Sequence, residues 1–381
     1  MPSRDSRALL NSLVNGFPGI ISLAVLLSIL VAGLWPFNFF PKNNVAWLTD
    51  RDGVRFHGQG IISGPLIDQK KWQALFKDRA ITVEVRVRPE TETASAPGIV
   101  TLFDGKMPEV FAIRQWRSHL VAWSRPDDPA DRKRGMPFQE IGHRDAFPKG
   151  RDVFIAIASD RSGSALYVNG SLVRSYPRRS LLTAEISGDP LLILGNSPGG
   201  ESQWTGDITG LAVYSRALTP DEVSRDHQSW LQNDYFSIKQ QGGLVALYPF
   251  HEKQGEMIRN VVNPDEALTM TETFEPIQRK ILLSHWHEIR WNFSLFQDVS
   301  VNILGFIPAG FFFAAYLLRK TGRKKSAVYL TVAILGAGLS LLIELTQAWL
   351  PTRDSSLIDV ACNAAGTVLG ILLHNALRRK D

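Results

Sequence analysis

The 381-residue chain has a single cysteine, Cys362, and this residue lies in an apolar run near the C-terminus. The soluble part of the chain therefore cannot contain a disulfide, and an ordinary hydrophobic core must stabilise it. A strong excess of one charge is also lacking, because the formal net charge is only +5. The basic residues cluster beside apolar runs and not on the face of a folded domain, which excludes nucleic acid as the expected partner.

Motifs for a metal, a covalent nucleophile or a phosphate loop are missing too. No acidic cluster has the spacing of a calcium loop, and residues 127–131 (DDPAD) are interpreted as a solvated loop. Residues 284–288 (SHWHE) hold two histidines at i and i+2, a spacing that gives only weak support for a zinc site. We therefore predict no metal and no cofactor.

Charge is scarce in four long apolar runs, each of which reaches the ~20 residues needed to cross a bilayer. A cleavable signal peptide is the alternative for the first run, but it continues into bulky residues 35–40 (WPFNFF), which are typical of an interface anchor. The sequence thus predicts a four-span α-helical membrane bundle. The predicted spans are residues 18–40, about 298–318, 326–350 and 357–377.

Basic residues orient these four spans. Arg4 and Arg7 precede the first span, residues 319–325 (RKTGRKK) follow the second, and residues 378–380 (RRK) follow the fourth. Basic clusters mark cytoplasmic loops, and an inside N-terminus puts all three clusters inside. We therefore predict a cytoplasmic N-terminus (residues 1–17), a cytoplasmic C-terminus, and an extracytoplasmic segment at about residues 42–297.

The segment between the first two spans is rich in short strand patterns. Residues 81–89 (ITVEVRVRP) alternate strictly, which predicts a strand with one dry face. Asn169-Gly170 is a strong two-residue hairpin turn. Further strands are predicted at residues 153–158, 165–168, 171–173, 191–194, 208–214 and 244–248. Many short strands with turns between them predict an all-β, two-sheet sandwich.

Residues 53–58 (GVRFHG), 81–89, 165–170 (ALYVNG) and the closing motif at 206–219 resemble a laminin G-like, concanavalin A-like domain. The resemblance implies a jelly-roll sandwich over residues 44–235 and glycan or protein ligands, often with calcium. Residues 236–295 are expected to add a completing strand and an interfacial connector. The candidates for stacking on sugar rings are Trp116, Trp123 and Trp204, with packing in the core or at a sheet edge as the alternative for each.

Two apolar spans begin with the same pattern, D-V-x-x-N-x-x-G, at residues 298–305 and 359–366. Its Asp, Asn and Gly lie at i, i+4 and i+7, which places them on one stripe of a helix. The duplication indicates either a parallel structural repeat or a chance similarity between two short segments.

The span between these two segments carries small and polar residues on one face, so the three faces should meet. An ionisable residue inside a span is costly, and Glu344 should therefore face the bundle with Arg353 or a proton as its partner. The predicted outward-facing polar pocket comprises Asp298, Asn302, Glu344, Gln347, Arg353, Asp359 and Asn363. The predicted helix-packing residues are Gly305, Pro308, Gly310, Gly366 and Gly370. The alternative is that the polar side chains only bond the helices together, at about 1 kcal/mol for each pair.

These landmarks, in this order over residues 296–377, resemble the VanZ family, and the first span with its Trp-Pro-Phe ending resembles that family's first helix. The sandwich is then an insertion between the first and second helices. Members are linked to teicoplanin-type glycopeptide resistance and to bacterial envelope functions, without an agreed reaction. The large insertion argues against carrying over a drug-resistance role directly. The resemblance places the protein in a bacterial cytoplasmic membrane.

Three functions stay open at this point. The first is a binding protein of the cell envelope, whose sandwich recognises a glycan or a protein and whose helices hold a lipid or lipid-linked precursor head group. The second is a membrane-embedded enzyme with Glu344 as acid or base, assisted by Asp298 or Asp359. The third is an adhesion or scaffold protein with inert helices.

Overall fold

The computed structural model describes residues 18–125, 138–182, 186–279, 281–283 and 293–378. The chain divides into two compact units, one of residues 40–278 and one of residues 1–39 with 279–381. The helices among the described residues are α1 (Pro18–Leu34), α2 (Gln69–Leu75), α3 (Pro220–Gln232), α4 (Tyr235–Lys239), α5 (Phe293–Thr321), α6 (Lys325–Gln347) and α7 (Leu357–Arg378). The expectations for residues 4, 7, 127–131, 284–288, 379 and 380 lie outside the described residues.

Alternating apolar residues in the first unit form two antiparallel sheets that enclose a common core. The first sheet contains β1 (Val45–Trp47), β2 (Val54–His57), β4 (Ile81–Pro89), β9 (Val153–Asp160), β10 (Gly163–Val168), β11 (Ser171–Pro177), β13 (Thr205–Tyr214) and β14 (Leu244–Tyr248). The second contains β3 (Ile62–Pro65), β5 (Gly98–Phe103), β6 (Phe111–Trp116), β7 (His119–Ser124), β8 (Gln139–His143), β12 (Leu191–Leu194), β15 (Met257–Ile258) and β16 (Leu268–Thr269). The predicted all-β sandwich is confirmed.

Strand order shows how the sandwich is connected. The first sheet runs β1-β2-β13-β4-β9-β10-β11, with β14 also paired to β13, and the second runs β15-β16-β3-β12-β5-β6-β7-β8. The hairpin between β10 and β11 turns at Asn169 and Gly170, whose φ angles of 50° and 75° suit a tight turn with two left-handed residues. Strand β14 lies beyond α3 and α4 in sequence yet pairs antiparallel with β13, so it belongs to the first sheet.

Strand β4 departs from the expected pattern of one dry and one wet face. Ile81, Val83 and Val85 face the core as predicted, but Thr82 and Glu84 on the other face are also fully buried. A second apolar cluster covers that face, because the segment through α3 and α4 packs back on the first sheet. The alternation correctly predicts a strand, but it cannot show that a distant helix covers the polar side.

Glu84 meets a second acid, Asp226 of α3, beneath this helix. Trp230 donates its indole N–H to Glu84 Oε2 at 3.0 Å, and Tyr214 donates its hydroxyl to Asp226 Oδ2 at 2.7 Å. Burial, together with the neighbouring Asp226, holds the pKa of Glu84 well above its usual range. This shift favours the neutral, protonated form of Glu84 in the interior.

The two ends of the sandwich unit are tied side by side. Lys42 forms an antiparallel bridge with Thr273. Asn43, which is buried, donates its backbone N–H to the carbonyl of Glu272 at 2.9 Å and its side-chain amide to the carbonyls of Ile61 and Thr271, both at 2.8 Å. The chain therefore enters and leaves this unit at one point on its surface.

The second unit is helical, and among its described helices three are long and apolar enough to cross a membrane. These are Leu295–Thr321 within α5, α6 and α7. They make the chain a membrane protein. The described part of α1 is apolar but has 17 residues, which is short of the ~20 that usually span a bilayer. The predicted count of four spans is therefore slightly too high by this criterion.

Helices α5 and α7 make close backbone contact. A Cβ added to Gly310, Gly366 or Gly370 would overlap backbone atoms of the opposite helix, so the predicted packing role fits these three glycines. Pro308 lies inside α5 and is half-buried. The same role for Gly305 is wrong, because nothing lies within 4 Å of a Cβ added there.

This difference between two glycines of the same repeated motif is testable. We expect Gly366→Ala to destabilise the helical unit by about 1–3 kcal/mol, since its methyl group would overlap the Ile303 carbonyl. Gly305→Ala is the matched control and should stay within about 0.5 kcal/mol of the unsubstituted protein. Detergent-driven unfolding of the full chain, followed by helical circular dichroism, measures both. Equal losses in the two variants would show that the close contact is misplaced.

Candidate functional site

The helical unit contains a cavity of about 590 Å3. All seven residues of the predicted polar pocket line it, although they come from three helices and a loop. Its lining comprises Ile29, Ala32, Gly33, Gln297, Asp298, Val301, Asn302, Gly305, Phe306, Ile343, Glu344, Gln347, Thr352, Arg353, Asp354, Asp359 and Asn363. Asp298 and Arg353 are exposed, Asp359 is half-buried, and Glu344 and Asn363 are 2% and 3% exposed. The cavity is therefore polar from its rim to its floor.

The two copies of the repeated motif contact one another but do different things. Asn302 of α5 donates its amide N–H to Asp359 Oδ1 of α7 at 2.7 Å. Asn363, the counterpart of Asn302 in α7, instead donates to Ser340 Oγ of α6 at 2.9 Å. Asn302 thus connects α5 to α7, and Asn363 connects α7 to α6.

Glu344 is held by the backbone at the start of α7. Its Oε2 accepts a hydrogen bond of 2.8 Å from the N–H of Ser356, and the Ser356 hydroxyl accepts from the N–H of Ile358 in the manner of an N-cap. A carboxylate at a helix N-terminus is favourably placed because unpaired N–H groups point toward it. Ser356 was not among the predicted site residues. Its position immediately before an apolar helix is nevertheless a typical N-cap signal.

Arg353 is not the ion-pair partner that the sequence suggested for Glu344. Its guanidinium donates to the carbonyl oxygen of Trp35, through Nε at 3.2 Å and Nη2 at 3.0 Å. No ion pair within 4 Å joins Arg353 to Glu344 among the described residues. The long side chain reaches back to the end of the first helix because the Trp35 carbonyl follows the last turn of α1.

The first helix contributes a wall that the sequence did not predict. Gln347 donates its amide N–H to the carbonyl of Gly33 in α1 at 2.7 Å. A Cβ on Gly33 would come within 2.9 Å of Ile343, so this glycine lets α1 approach α6. Gly33 stands out in the sequence as a glycine within an apolar run, but the sequence does not show which helix packs against it.

The arrangement can bind but offers little for metal chemistry. No group of three or more His, Cys, Asp or Glu side chains in the described part of the chain could hold a metal ion. The polar side chains that line the cavity are carboxyl groups, amides, one hydroxyl and one guanidinium. These groups fit polar or charged head groups through hydrogen bonds.

The three candidate tryptophans of the sandwich differ in their surroundings. Trp204 is 1% exposed and donates its indole N–H to Gln115 Oε1 at 2.7 Å. Its faces are covered by the core, so the proposal that Trp204 stacks on a sugar is wrong. Trp116 at the end of β6 is 42% exposed, with the Arg117 guanidinium 5.5 Å from its ring centroid. Trp116 can therefore offer an aromatic surface to a ligand.

Trp123 lies between two neighbours. Its ring stacks on Phe138 with centroids 4.2 Å apart and an interplanar angle of 18°. The Arg114 guanidinium lies 4.2 Å from the same ring, which places it on the opposite face, because both groups cannot fit on one side. Trp123 is thus a packing residue of the sheet surface, and Trp116 is the candidate of the three whose ring is exposed.

Sequence comparison matches two families, and the boundary between the two matches falls within the sandwich unit of residues 40–278. Residues 64–224 match the concanavalin A-like lectin/glucanases superfamily, Laminin_G_3. Residues 227–378 match the VanZ/LLP1 family. No curated protein matches the chain.

Several solved structures resemble part of the chain at low identity. The receptor-binding domain of botulinum neurotoxin C/D mosaic serotype shares 12% identity with a TM-score of 0.38, covering 49% of this chain and 45% of its own. The Ruminococcus gnavus IT-sialidase CBM40 bound to alpha2,3 sialyllactose shares 13% identity with a TM-score of 0.36, covering 48% of this chain and 96% of its own. A Bacteroides ovatus protein described as carbohydrate binding shares 13% identity with a TM-score of 0.38, covering 62% of each chain.

Proposed function

This chain joins a laminin G-like, concanavalin A-like domain to a VanZ-like membrane region, and from that architecture we propose a bacterial cell-envelope protein with two binding sites. The sandwich binds a glycan. The cavity of the helical unit holds the polar head group of a lipid or of a lipid-linked precursor. The observation that carries the proposal is a polar cavity built from buried side chains among apolar helices.

The burial of Glu344 and Asn363 supports the head-group site. Polar side chains inside membrane helices are costly and mark functional positions when they face a cavity. Asn363 and Glu344 also connect α6 to the start of α7, but Asn363 Oδ1 is buried without a hydrogen-bond partner among the described residues, so helix bonding does not use all of these polar groups. A volume of about 590 Å3 lies in the range of about 300–1,000 Å3 that is usual for small-molecule sites.

The superfamily matched by residues 64–224 supports a glycan ligand for the sandwich, since its description names lectins and glucanases. Trp116 is the candidate contact residue because its ring is exposed. An indole face offers apolar area to the C–H side of a sugar ring, and its N–H can add a hydrogen bond.

Charge distribution supports an outward-facing cavity. Arg319 and Lys320 end α5, Lys325 begins α6, and Arg378 ends α7. The cavity residues lie at the opposite ends of these three helices. Since basic residues favour the cytoplasmic side, the cavity opens to the outer face and residues 42–278 lie outside the cell.

The head-group site can be tested with two deep substitutions. Glu344→Gln and Asn363→Ala should each lower the amount of lipid retained by the full-length protein by about tenfold, because each removes a strong buried hydrogen-bonding group. Native mass spectrometry after purification in mild detergent measures the bound lipid. Asn375→Ala, in the same helix but outside the cavity lining, is the matched control and should retain lipid normally.

Two other outcomes separate the remaining hypotheses. Unchanged lipid retention in both variants, at normal protein level and insertion, would leave only an anchor or scaffold role for the helices. Turnover of a lipid-linked glycan by the purified protein, lost in Glu344→Gln while lipid retention persists, would make Glu344 an acid or base of an enzyme.

The glycan site is tested at Trp116. We expect a glycan array probed with the full-length protein to give hits that Trp116→Ala weakens about fivefold to tenfold, since the lost indole contact is worth on the order of 1 kcal/mol. Phe236→Ala is the control, because Phe236 is also an exposed aromatic of the sandwich unit, at 72%. Equal loss in both variants, or none in either, would exclude Trp116 as the contact.

The orientation is tested with protease on intact spheroplasts. Cleavage should remove residues 42–278 and leave the helical unit protected, as judged by antibodies against tags at each terminus. If the sandwich is cut only after lysis, the cavity opens toward the cytoplasm and the proposed orientation is wrong.

A further inference from the structure

Two amide side chains of the cavity each direct one N–H to an acceptor of the protein. Asn302 donates to Asp359 Oδ1, and Gln347 donates to the Gly33 carbonyl. The Gly33 carbonyl and an ionised Asp359 can only accept, so the orientation of these two amides is fixed by chemistry. Their carbonyl oxygens, together with the second N–H of each amide, are left for a ligand.

The guanidinium of the cavity is also partly used within the protein. Arg353 directs its Nε and one terminal nitrogen to the Trp35 carbonyl. Asn363 donates to Ser340 Oγ, and its Oδ1 is buried without a hydrogen-bond partner among the described residues. An orphaned buried acceptor is costly unless a ligand supplies a donor. Asn363 therefore marks the floor of the cavity as a place for an N–H group.

Charge points in the same direction. Asp298, Glu344 and Asp359 contribute carboxyl groups to the cavity lining, and Arg353 contributes a guanidinium. Ionised carboxyl groups attract a cation and repel an anionic group. A bound metal ion is disfavoured, because the described carboxylates do not converge into a ligand set.

We propose that the cavity is selective for a primary ammonium group, carried by an amine-bearing lipid or lipid-linked head group. This inference rests on the head-group function proposed above and names the chemistry of its ligand. The ammonium donates three N–H bonds and carries a positive charge that complements the carboxyl groups of Asp298, Glu344 and Asp359. Asn363 Oδ1 and Glu344 form the deep acceptors, while Asp298 and Asp359 attract the cation from the rim.

The test compares three lipids with the same acyl chains on the unsubstituted full-length protein. Phosphatidylethanolamine carries the ammonium, N-acetyl phosphatidylethanolamine has lost the positive charge and two of the three N–H donors, and phosphatidylglycerol is an anionic lipid of similar size. Each is titrated in detergent and its occupancy is read by native mass spectrometry. We expect phosphatidylethanolamine to bind at least about tenfold more tightly than either of the others, the loss expected for a charge-assisted hydrogen bond. Free ethanolamine, added as a competitor, distinguishes recognition of the amine alone from recognition of the whole lipid.

A charge reversal at the rim supplies the second measurement. Asp298→Lys should abolish the preference for phosphatidylethanolamine, because a tethered ammonium would occupy or repel the site. Asp221→Lys makes the same change in net charge on α3 of the sandwich and should leave the preference intact. Asp298 is exposed, so this variant is expected to fold.

The outcomes separate the two levels of the proposal. Equal binding of all three lipids, still weakened by Asn363→Ala, would overturn amine selectivity while leaving a head-group site in the cavity. Binding that is insensitive to Asn363→Ala and to Asp298→Lys would overturn both. Tighter binding of phosphatidylglycerol would show that the cavity recognises an anion.

Discussion

Close backbone contact between α5 and α7 is the constraint on which the cavity depends. Gly310, Gly366 and Gly370 leave no space for a side chain at this contact, and small residues spaced by four allow such an approach in a membrane. The residues that line the cavity lie N-terminal to Gly366 on α7 and to Gly310 on α5. No atom lies within 4 Å of a Cβ added at Gly305, and Gly305 lines the cavity together with the polar side chains. The same residue type therefore closes one part of the bundle and helps to open another.

The polar groups inside this bundle become more buried from the rim of the cavity to its floor. Exposed acids stand at the rim, an Asn–Asp pair joins two helices at half depth, and Glu344 with Asn363 forms the buried floor. Asn302, Gln347 and Asn363 each direct one N–H to another group of the protein. The proposed chemical preference of the cavity depends on the lining as a whole and not on a single catalytic group. The repeated motif supplies polar residues, and the burial of Glu344 and Asn363 distinguishes this site from an ordinary polar surface.

Helical spacing was enough to predict which residues meet, because i, i+4 and i+7 positions share a stripe in any α-helix. It could not predict hydrogen-bond partners. Glu344 contacts the Ser356 N–H rather than Arg353, since a short loop returns the chain to the floor of the cavity. In the sandwich, alternation predicted β4 correctly but missed the helix that covers Glu84. Trp204 and Trp116 are equally apolar in sequence, and only the tertiary fold separates a core side chain from a surface one.

The bridge between Lys42 and Thr273, reinforced by the hydrogen bonds of Asn43, brings the two ends of the sandwich unit together. This closeness has a consequence for how the chain can evolve. A folded unit whose two chain ends leave at the same point can be accommodated in a loop between two helices without forcing those helices apart. Such a unit could be acquired, exchanged or lost as a cassette while the membrane segments keep their own packing. Sequence change in the sandwich unit is thereby uncoupled from the packing of the helices.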